Sequence, residues 1–463
     1  MDITSDLKKI SGKNILTSQE ELIPYMRDAS PFHGELPLAV AIPENVMELS
    51  RIVKYCYEHD IVMVSRGGGS SLTGSSVPLG KGIVISLAKF DKILETKIED
   101  RYVVAESGVR LDALNEHLSN FDHFYPPDPA SSRICTVGGT ISTNSGGLRG
   151  AMYGVTKDWV LGMEVVLPNG DIVQFGSKTL KRSAGYDFTS LMIGSEGTIG
   201  IITKAILKIW PKPEKTGRIL SYYEKIESGG KALAGLKAKG INPLIAEFMD
   251  RISLESMRVA KGIEYPEGTN YMLMIDIAST VESLERQMND AAEILKEFNP
   301  ISLKLTTDKK EMSEMYEARK GLYSTLLSQR KSASEYLILG DVVVPASELP
   351  AALNEIERAI EKHGIFVSIF GHIGDGNIHA NIFSNPADVE NMRRVDNFQM
   401  ELGRIAVSHG GSVSAEHGIG IEKKELLKEE FTMRNSPGTL SLMKAVKLAI
   451  DPKNLMNRGK IFD

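Results

Sequence analysis

Within PENVMELSRIVKYCYEHDI, apolar residues recur at Val46, Leu49, Ile52 and Val53. That spacing predicts a helix with one buried face. The uninterrupted apolar run at 61–64 reads as a buried strand, and it leads straight into RGGGSSLTG at 66–74. A helix, a strand and then a glycine-rich turn predict an α/β or α+β domain with a ligand at the strand end. Further strands are predicted at 82–87, 102–106, 162–166 and 199–209. Trp210-Pro-Lys-Pro, with two prolines and a charge after a strand, breaks the pattern and marks a domain boundary. Beyond it, long amphipathic helices alternate with strands. Strands are predicted at 271–277, at a run ending on Val344, at 365–370 and at 378–383. Helices are predicted at 281–297, 311–333, 348–362 (with Ser347 as N-cap) and 388–409. This half reads as an α+β domain of about 200 residues. The chain shows no internal repeat and no low-complexity segment.

Composition narrows the partners. The 463 residues exceed what one hydrophobic core organises. Acidic residues number 60 and basic ones 54, a formal net charge of −6, and no basic tail is present, so nucleic acid is not expected as a partner. Two cysteines exclude a disulfide framework, a thiolate iron–sulfur site and a cysteine-rich zinc site. Cys56 and Cys135 read as small buried hydrophobes. No stretch reaches about 18 uncharged apolar residues. The start, MDITSDLKKI, lacks an apolar signal core. The expected compartment is the cytosol, with peripheral membrane association and homo-oligomerisation left open.

Glycine is concentrated: 20 of 42 lie within 66–200. Backbone N–H groups in glycine-rich turns can approach phosphate oxygens, because no Cβ intervenes. RGGGSSLTG suits that role, or it is a tight structural turn. The dinucleotide pattern G-x-G-x-x-G fails, because Leu72 stands where its third glycine should be. The Walker pattern fails because Gly82 follows Gly80-Lys81. Three more segments join the first: PPDPASS at 126–132, TVGGTISTNSGGLRGAMYG at 136–154 and GSEGTIG at 194–200. An extended ligand such as a dinucleotide could use all four.

Taken together over 36–210, these segments resemble the FAD-binding domain of the vanillyl-alcohol oxidase flavoprotein family. RGGGSSLTG resembles its pyrophosphate loop. The resemblance implies two small α+β subdomains holding FAD. The implied contacts are Arg66, Gly67, Gly68, Gly69, Ser70, Ser71, Thr73, Gly74, Pro127, Asp128, Thr136, Gly138, Gly139, Thr143, Asn144, Ser145, Gly147, Tyr153, Glu196, Gly197, Gly200 and Ile202. Some relatives attach the flavin through a loop histidine. RGGGSSLTG and TVGGTISTNSGG contain none, so FAD is expected to be non-covalent.

Five of nine histidines fall within 363–417. FGHIGDGNIHANIF carries His372, His379 and Asn381, and SAEHGIG carries Glu416 and His417. Imidazole and carboxylate suit a divalent transition metal, and two His plus one Glu with open positions describe a catalytic site. On a strand, His379 and Asn381 share a face. The alternative is that these are surface or capping residues. His363 and His409 read as favourable charges at helix C-termini.

GHIGDGNIH, AEHGIG and the ending DPKNLMNRGKIF resemble the cap domain of FAD-linked D-2-hydroxyacid dehydrogenases. That group includes D-lactate dehydrogenases, glycolate oxidase catalytic subunits and D-2-hydroxyglutarate dehydrogenase. The resemblance implies an α+β cap with an antiparallel sheet and metal ligands His372, His379 and Glu416 for zinc or a similar ion. It also implies substrate contact by Asn381, a carboxylate anchor in Arg319, a base in His417 and flavin approach by Asn457. Arg458 replaces the proline of the family's Asn-Pro-Gly-Lys ending. The implied reaction takes a small D-2-hydroxy acid to its 2-oxo acid, with the proton going to His417 and a hydride to flavin N5. Relatives acting on hydroxyglutarate carry a lysine where this chain has Leu339, near Asp341, which tilts the expectation toward lactate or glycolate. Alternatives are D-2-hydroxyglutarate oxidation and a non-redox flavoprotein resembling alkyl-glycerone-phosphate synthase. Electrons would leave to a quinone, cytochrome, electron-transfer flavoprotein or iron–sulfur subunit. The expected domains are 1–212 for FAD, 213–424 for the cap and 425–463 as a helical segment returning to the FAD domain.

Overall fold

A computed structural model of the chain describes residues 2–462. The chain divides into two compact units. One contains the residues up to 145, 155–212 and those from 416 onward; the other contains 146–154 and 213–415. Relative to the expected boundaries, 146–154 and 416–424 each lie in the opposite unit.

The first unit holds two small sheets. The helix Val46–Glu58 starts where Asn45 accepts the Glu48 N–H, and it buries Leu49, Ile52, Val53 and Cys56. It packs on a sheet ordered Ile15–Leu16, Ala39–Ala41, Gly82–Ser86, Val62–Arg66, whose last three strands are parallel. Covered strands of this kind read as continuous apolar runs, which is why 61–64 and 82–87 were visible in the sequence. The second sheet is antiparallel, ordered Ile93–Lys97, Tyr102–Glu106, Ile201–Lys208, Val160–Val166, Ile172–Gly176. The C-terminal residues run beside the first sheet: Met63 N–H donates to Leu455 O, and Asn457 N–H donates to Met63 O.

The second unit is built on a seven-stranded antiparallel sheet. Its order is Ser302–Thr306, Lys215–Tyr223, Tyr271–Ser279, Ile245–Asp250, Val367–Gly371, Asn377–Ser384, Tyr336–Val343. Side chains alternate between faces along each strand. Ala246, Phe248, Ile378, Ala380 and Ile382 point to one face, under the helices Ile226–Ala238, Leu284–Lys296, Leu349–His363 and Val389–Ser408. Ile245, Met249, Leu337 and Phe370 point to the other, toward Arg251–Lys261, Lys309–Lys320 and Leu322–Ser328. By the same alternation Glu247, His379, Asn381, Leu339 and Asp341 belong to this second face. The α+β class and the antiparallel sheet of the second half agree with the sequence expectation.

Two expectations need correction. The helix predicted at 311–333 is two helices, Lys309–Lys320 and Leu322–Ser328, parted at Gly321. Glycine is a weak helix former, and the break lets Leu322 and Leu326 enter the core on their own axis. Ser347 does not cap its helix. A turn from Pro345 O to Glu348 N–H makes Glu348 the N-cap, with Pro350 in the first turn. Among the described residues, no helix is long and apolar enough to cross a membrane.

Candidate active site

The glycine-rich loop leaves the strand Val62–Arg66 half-buried. The N–H groups of residues 67–72 have no hydrogen-bond partner among the described residues. Buried or half-buried amides left open in this way are donors awaiting an acceptor. The loop is packed too closely for side chains. A Cβ on Gly67 would sit 2.4 Å from Thr136 Oγ1, and one on Gly68 would sit 2.2 Å from Ile134 O. Thr136 caps the helix Val137–Thr143, which carries Gly138, Gly139 and Thr143. Asn144, with φ 52°, ends that helix and accepts the Lys157 N–H. Ser145 O accepts from Thr156. Pro127 and Asp128 are buried in the same unit. These features fit a dinucleotide cradle: open amides, no Cβ in the way, and helix and loop polar groups around them.

Other predicted cofactor contacts are engaged with protein. The Arg66 guanidinium donates to Arg27 O at 2.6 Å, and burial lowers its pKa. Ser71 Oγ accepts the Thr73 and Ser75 N–H groups. Thr73 Oγ1 donates to His417 O at 3.2 Å, and Thr73 O accepts the Ile421 N–H at 2.8 Å. Gly74 faces Ile421, Gly197 faces Ser65 and Gly200 faces Val165. Ile202 is buried in its strand. Asn457 Nδ2 donates to Ser75 O at 2.8 Å and to Glu196 O at 2.6 Å. Its Oδ1 is buried without a hydrogen-bond partner among the described residues.

Glu196 gathers the rest. Its Oε2 accepts Ser75 Oγ at 2.6 Å and the Gly420 N–H at 2.8 Å, and its Oε1 accepts the Ile419 N–H at 2.6 Å. Burial pushes its carboxyl pKa up, and these donors oppose the shift. Thr73 and Glu196 thus hold the AEHGIG segment at His417 and at residues 419–421. His417 Nε2 lies 3.7 Å from Glu416 Oε1.

In the second unit, His372 follows the strand Val367–Gly371, and His379 lies in Asn377–Ser384. Both are buried, with ring centroids 5.2 Å apart and planes nearly perpendicular. His372 Nδ1 is hydrogen-bonded to Glu247 Oε1 at 2.6 Å, whereas His379 Nδ1 only approaches Asp341 Oδ1, at 3.5 Å, without a hydrogen bond between them. A histidine whose Nδ1–H faces a carboxylate presents the Nε2 lone pair and is the more basic for it, the usual arrangement behind metal-bound imidazole. His372 has that arrangement, and the two neighbouring imidazoles together suit a divalent metal. Asn381 Nδ2 donates to Ser368 O at 3.1 Å, and its Oδ1 has no partner among the described residues. Across the strands Asp341 pairs with His379 and Leu339 pairs with Asn381.

Arg319 is 3% exposed and stacks on Phe370, with Cζ 4.4 Å from the ring centroid. Its Nη2 lies 2.5 Å from Glu247 Oε2, while its Nε has no hydrogen-bond partner among the described residues. Asp341 Oδ2 accepts the Ala415 N–H at 3.0 Å, and Ala415 directly precedes Glu416 in the chain.

The predicted residues therefore fall into two sets. Arg319, His372, His379 and Asn381 lie in the second unit, together with Gly147 and Tyr153. Glu416, His417, Asn457 and the other cofactor candidates lie in the first. The segment 146–154 joins the second unit because Ala151 packs under Gly374 and Gly150 abuts Asp375. Burial raises the Tyr153 pKa there. Sequence reasoning missed Glu247. The available signal was one carboxylate inside the apolar strand IAEFMD.

Known proteins bear on both halves. Residues 212–461 match the C-terminal domain of FAD-linked oxidases, and residues 37–176 match an FAD-binding domain. The glycolate oxidase subunit GlcD of Bacillus subtilis is 36% identical, across 100% of this chain and 97% of its own length. A D-lactate dehydrogenase of Anaerostipes hadrus is 32% identical, across 99% of this chain and 97% of its own. Among solved structures, p-cresol methylhydroxylase with substrate bound aligns at a TM-score of 0.82 and 19% identity, over 99% of this chain and 96% of that one. That likeness is one of fold.

Proposed function

The chain belongs to the family of FAD-linked oxidases, and from that premise we propose that it oxidises a small D-2-hydroxy acid, lactate or glycolate, to the 2-oxo acid. One observation carries the reading. The second unit buries an arginine with an open N–H beside two imidazoles, each facing a carboxylate. A 2-hydroxy acid presents the complement, a carboxylate next to an ionisable hydroxyl. When bound, FAD supplies the acceptor for the α-hydrogen and its electron pair, and a divalent metal such as zinc supplies the Lewis acid that acidifies the hydroxyl.

The chain's residues do the positioning. Arg319, held flat by Phe370, anchors the substrate carboxylate through its guanidinium fork. Asn381 offers its open Oδ1 to the substrate. His372, His379 and Glu416 are the proposed metal ligands. His417 takes the hydroxyl proton, a role worth roughly 10²–10⁴-fold in rate. Its main chain is held by Thr73 and its neighbours by Glu196, so the base is carried by the flavin-binding unit. Leu339 opposite Asn381 leaves no cation there for a second carboxylate, which favours a monocarboxylate over hydroxyglutarate. The external electron acceptor would be a quinone, cytochrome, electron-transfer flavoprotein or iron–sulfur subunit. Stopped-flow mixing of the FAD-loaded protein with D- and L-lactate, glycolate and D-2-hydroxyglutarate under nitrogen tests this reading. Flavin bleaching should be rapid with D-lactate or glycolate and slow with L-lactate. No bleaching with any of the acids refutes it.

A further inference from the structure

We infer that Glu247 is a positioning residue that aims the substrate-anchoring arginine and a metal-ligating histidine at once. This rests on the roles proposed above for Arg319 and His372. Glu247 is fully buried in the strand Ile245–Asp250. Its Oε1 meets His372 Nδ1 at 2.6 Å and its Oε2 meets Arg319 Nη2 at 2.5 Å. The three side chains come from a central strand, the helix Lys309–Lys320 and the turn after Val367–Gly371. One carboxylate is thus the common reference for groups on three elements.

The same unit contains the ion pair that a purely structural role would produce. Arg218 grips Asp276 with two nitrogens, Nε at 2.6 Å and Nη2 at 2.7 Å, and gives Nη1 to Met312 O at 2.6 Å. All three nitrogens of that guanidinium are engaged. Arg319, equally buried, touches its glutamate through one nitrogen and keeps Nε open. An incompletely satisfied buried guanidinium is costly. Its retention beside a histidine pair fits a group completed by a bound anion. Glu247 offsets part of the arginine's charge while the site is empty, and it fixes the tautomer of His372.

Two variants separate the two duties. In Glu247→Gln the side-chain carbonyl can still accept from His372 Nδ1–H, while the amide cannot pair with Arg319. In Glu247→Ala both contacts are lost. The holoprotein is purified in each form. Flavin per chain and the melting temperature report the fold, elemental analysis reports metal per chain, and anaerobic D-lactate titration in stopped flow gives the substrate Kd and the limiting reduction rate. Glu247→Gln should keep its metal and raise the D-lactate Kd by about tenfold or more. Glu247→Ala should in addition lose metal affinity by about 10–100-fold, the usual effect of removing a carboxylate behind a ligating histidine. If both variants, with full flavin, keep wild-type metal content and wild-type Kd, the inference is wrong. If the wild type itself binds no metal and is not reduced by the acid, the proposed function fails instead, and the two failures are told apart by that control.

Discussion

Glu196→Gln is the sharpest probe of how the proposed base is held. The wild-type carboxylate receives three donors, Ser75 Oγ, Ile419 N–H and Gly420 N–H, at 2.6, 2.6 and 2.8 Å. Glutamine keeps one acceptor oxygen. Placed at the Oε2 position it retains Ser75 and Gly420, but its amide group then faces the Ile419 N–H, donor against donor. One charge-assisted bond is lost, worth about 1.5–3 kcal/mol, and a buried N–H is left unpaired. Thr73 also holds the segment 417–422, through its Oγ1 at His417 O and its main-chain O at the Ile421 N–H. Local opening at Ile419 should therefore become easier by about 1.5–3 kcal/mol, which is about 10–150-fold faster amide exchange. Hydrogen exchange followed by mass spectrometry on the FAD-loaded protein reads this directly in the peptide spanning 416–422. The helix Val46–Glu58, remote in sequence and sharing none of these bonds, should exchange as in wild type. Unchanged protection at 416–422 would refute the clamp, and uniform acceleration everywhere would mean that the substitution merely lowers global stability.

Other expectations follow from the same geometry. Arg319→Lys loses the planar fork stacked on Phe370, so the D-lactate KM should rise by about 10–100-fold with flavin content unchanged; an unaltered KM would exclude a carboxylate contact. The His409 pKa is raised chiefly by its bond to Glu348, with Glu355 adding to it. Its contribution is therefore fully present below the unfolded value of about 6.5 and is lost as pH rises through the folded value. The melting-temperature gap between wild type and His409→Asn should be largest near pH 6 and shrink toward pH 9; a gap that widens with pH contradicts the assignment. Cys56 and Cys135 are both buried, and burial raises the Cys56 thiol pKa, so neither should react with iodoacetamide before unfolding, as peptide mass mapping can check.

The legible parts of the fold were those with a strong local period or a short motif. The helix Val46–Glu58 and the buried strands Val62–Arg66 and Gly82–Ser86 announce themselves by apolar spacing alone. Strands such as Ile93–Lys97, Ile172–Gly176 and Ser302–Thr306 are only partly buried and are interrupted by polar or charged residues, so no apolar run marks them. Gly321 parts a helix whose pattern continues on both sides, and only the core shows that Leu322 begins a new axis. At the site, motif reading found the histidines, because glycine-flanked His and Glu are rare in turns. It could not find Glu247, whose role depends on a register that sets Phe248 opposite Gly371, next to His372. It read Glu196 as a cofactor contact, whereas that carboxylate is surrounded by protein donors brought in from 75, 419 and 420. Residues far apart in the chain meet there, and no local pattern encodes such a meeting.

On the proposed reading, oxidation of a D-2-hydroxy acid depends jointly on FAD and on a metal held by His372, His379 and Glu416. The most direct measurement is anaerobic flavin reduction by D-lactate, or by glycolate if that is the better substrate. It is followed at the visible flavin band before chelator treatment, after it, and after zinc or manganese is restored. The flavin should stay bound throughout, reduction should fall by at least about 10²-fold on chelation, and it should return with metal. Equal reduction rates in all three states would contradict that reading.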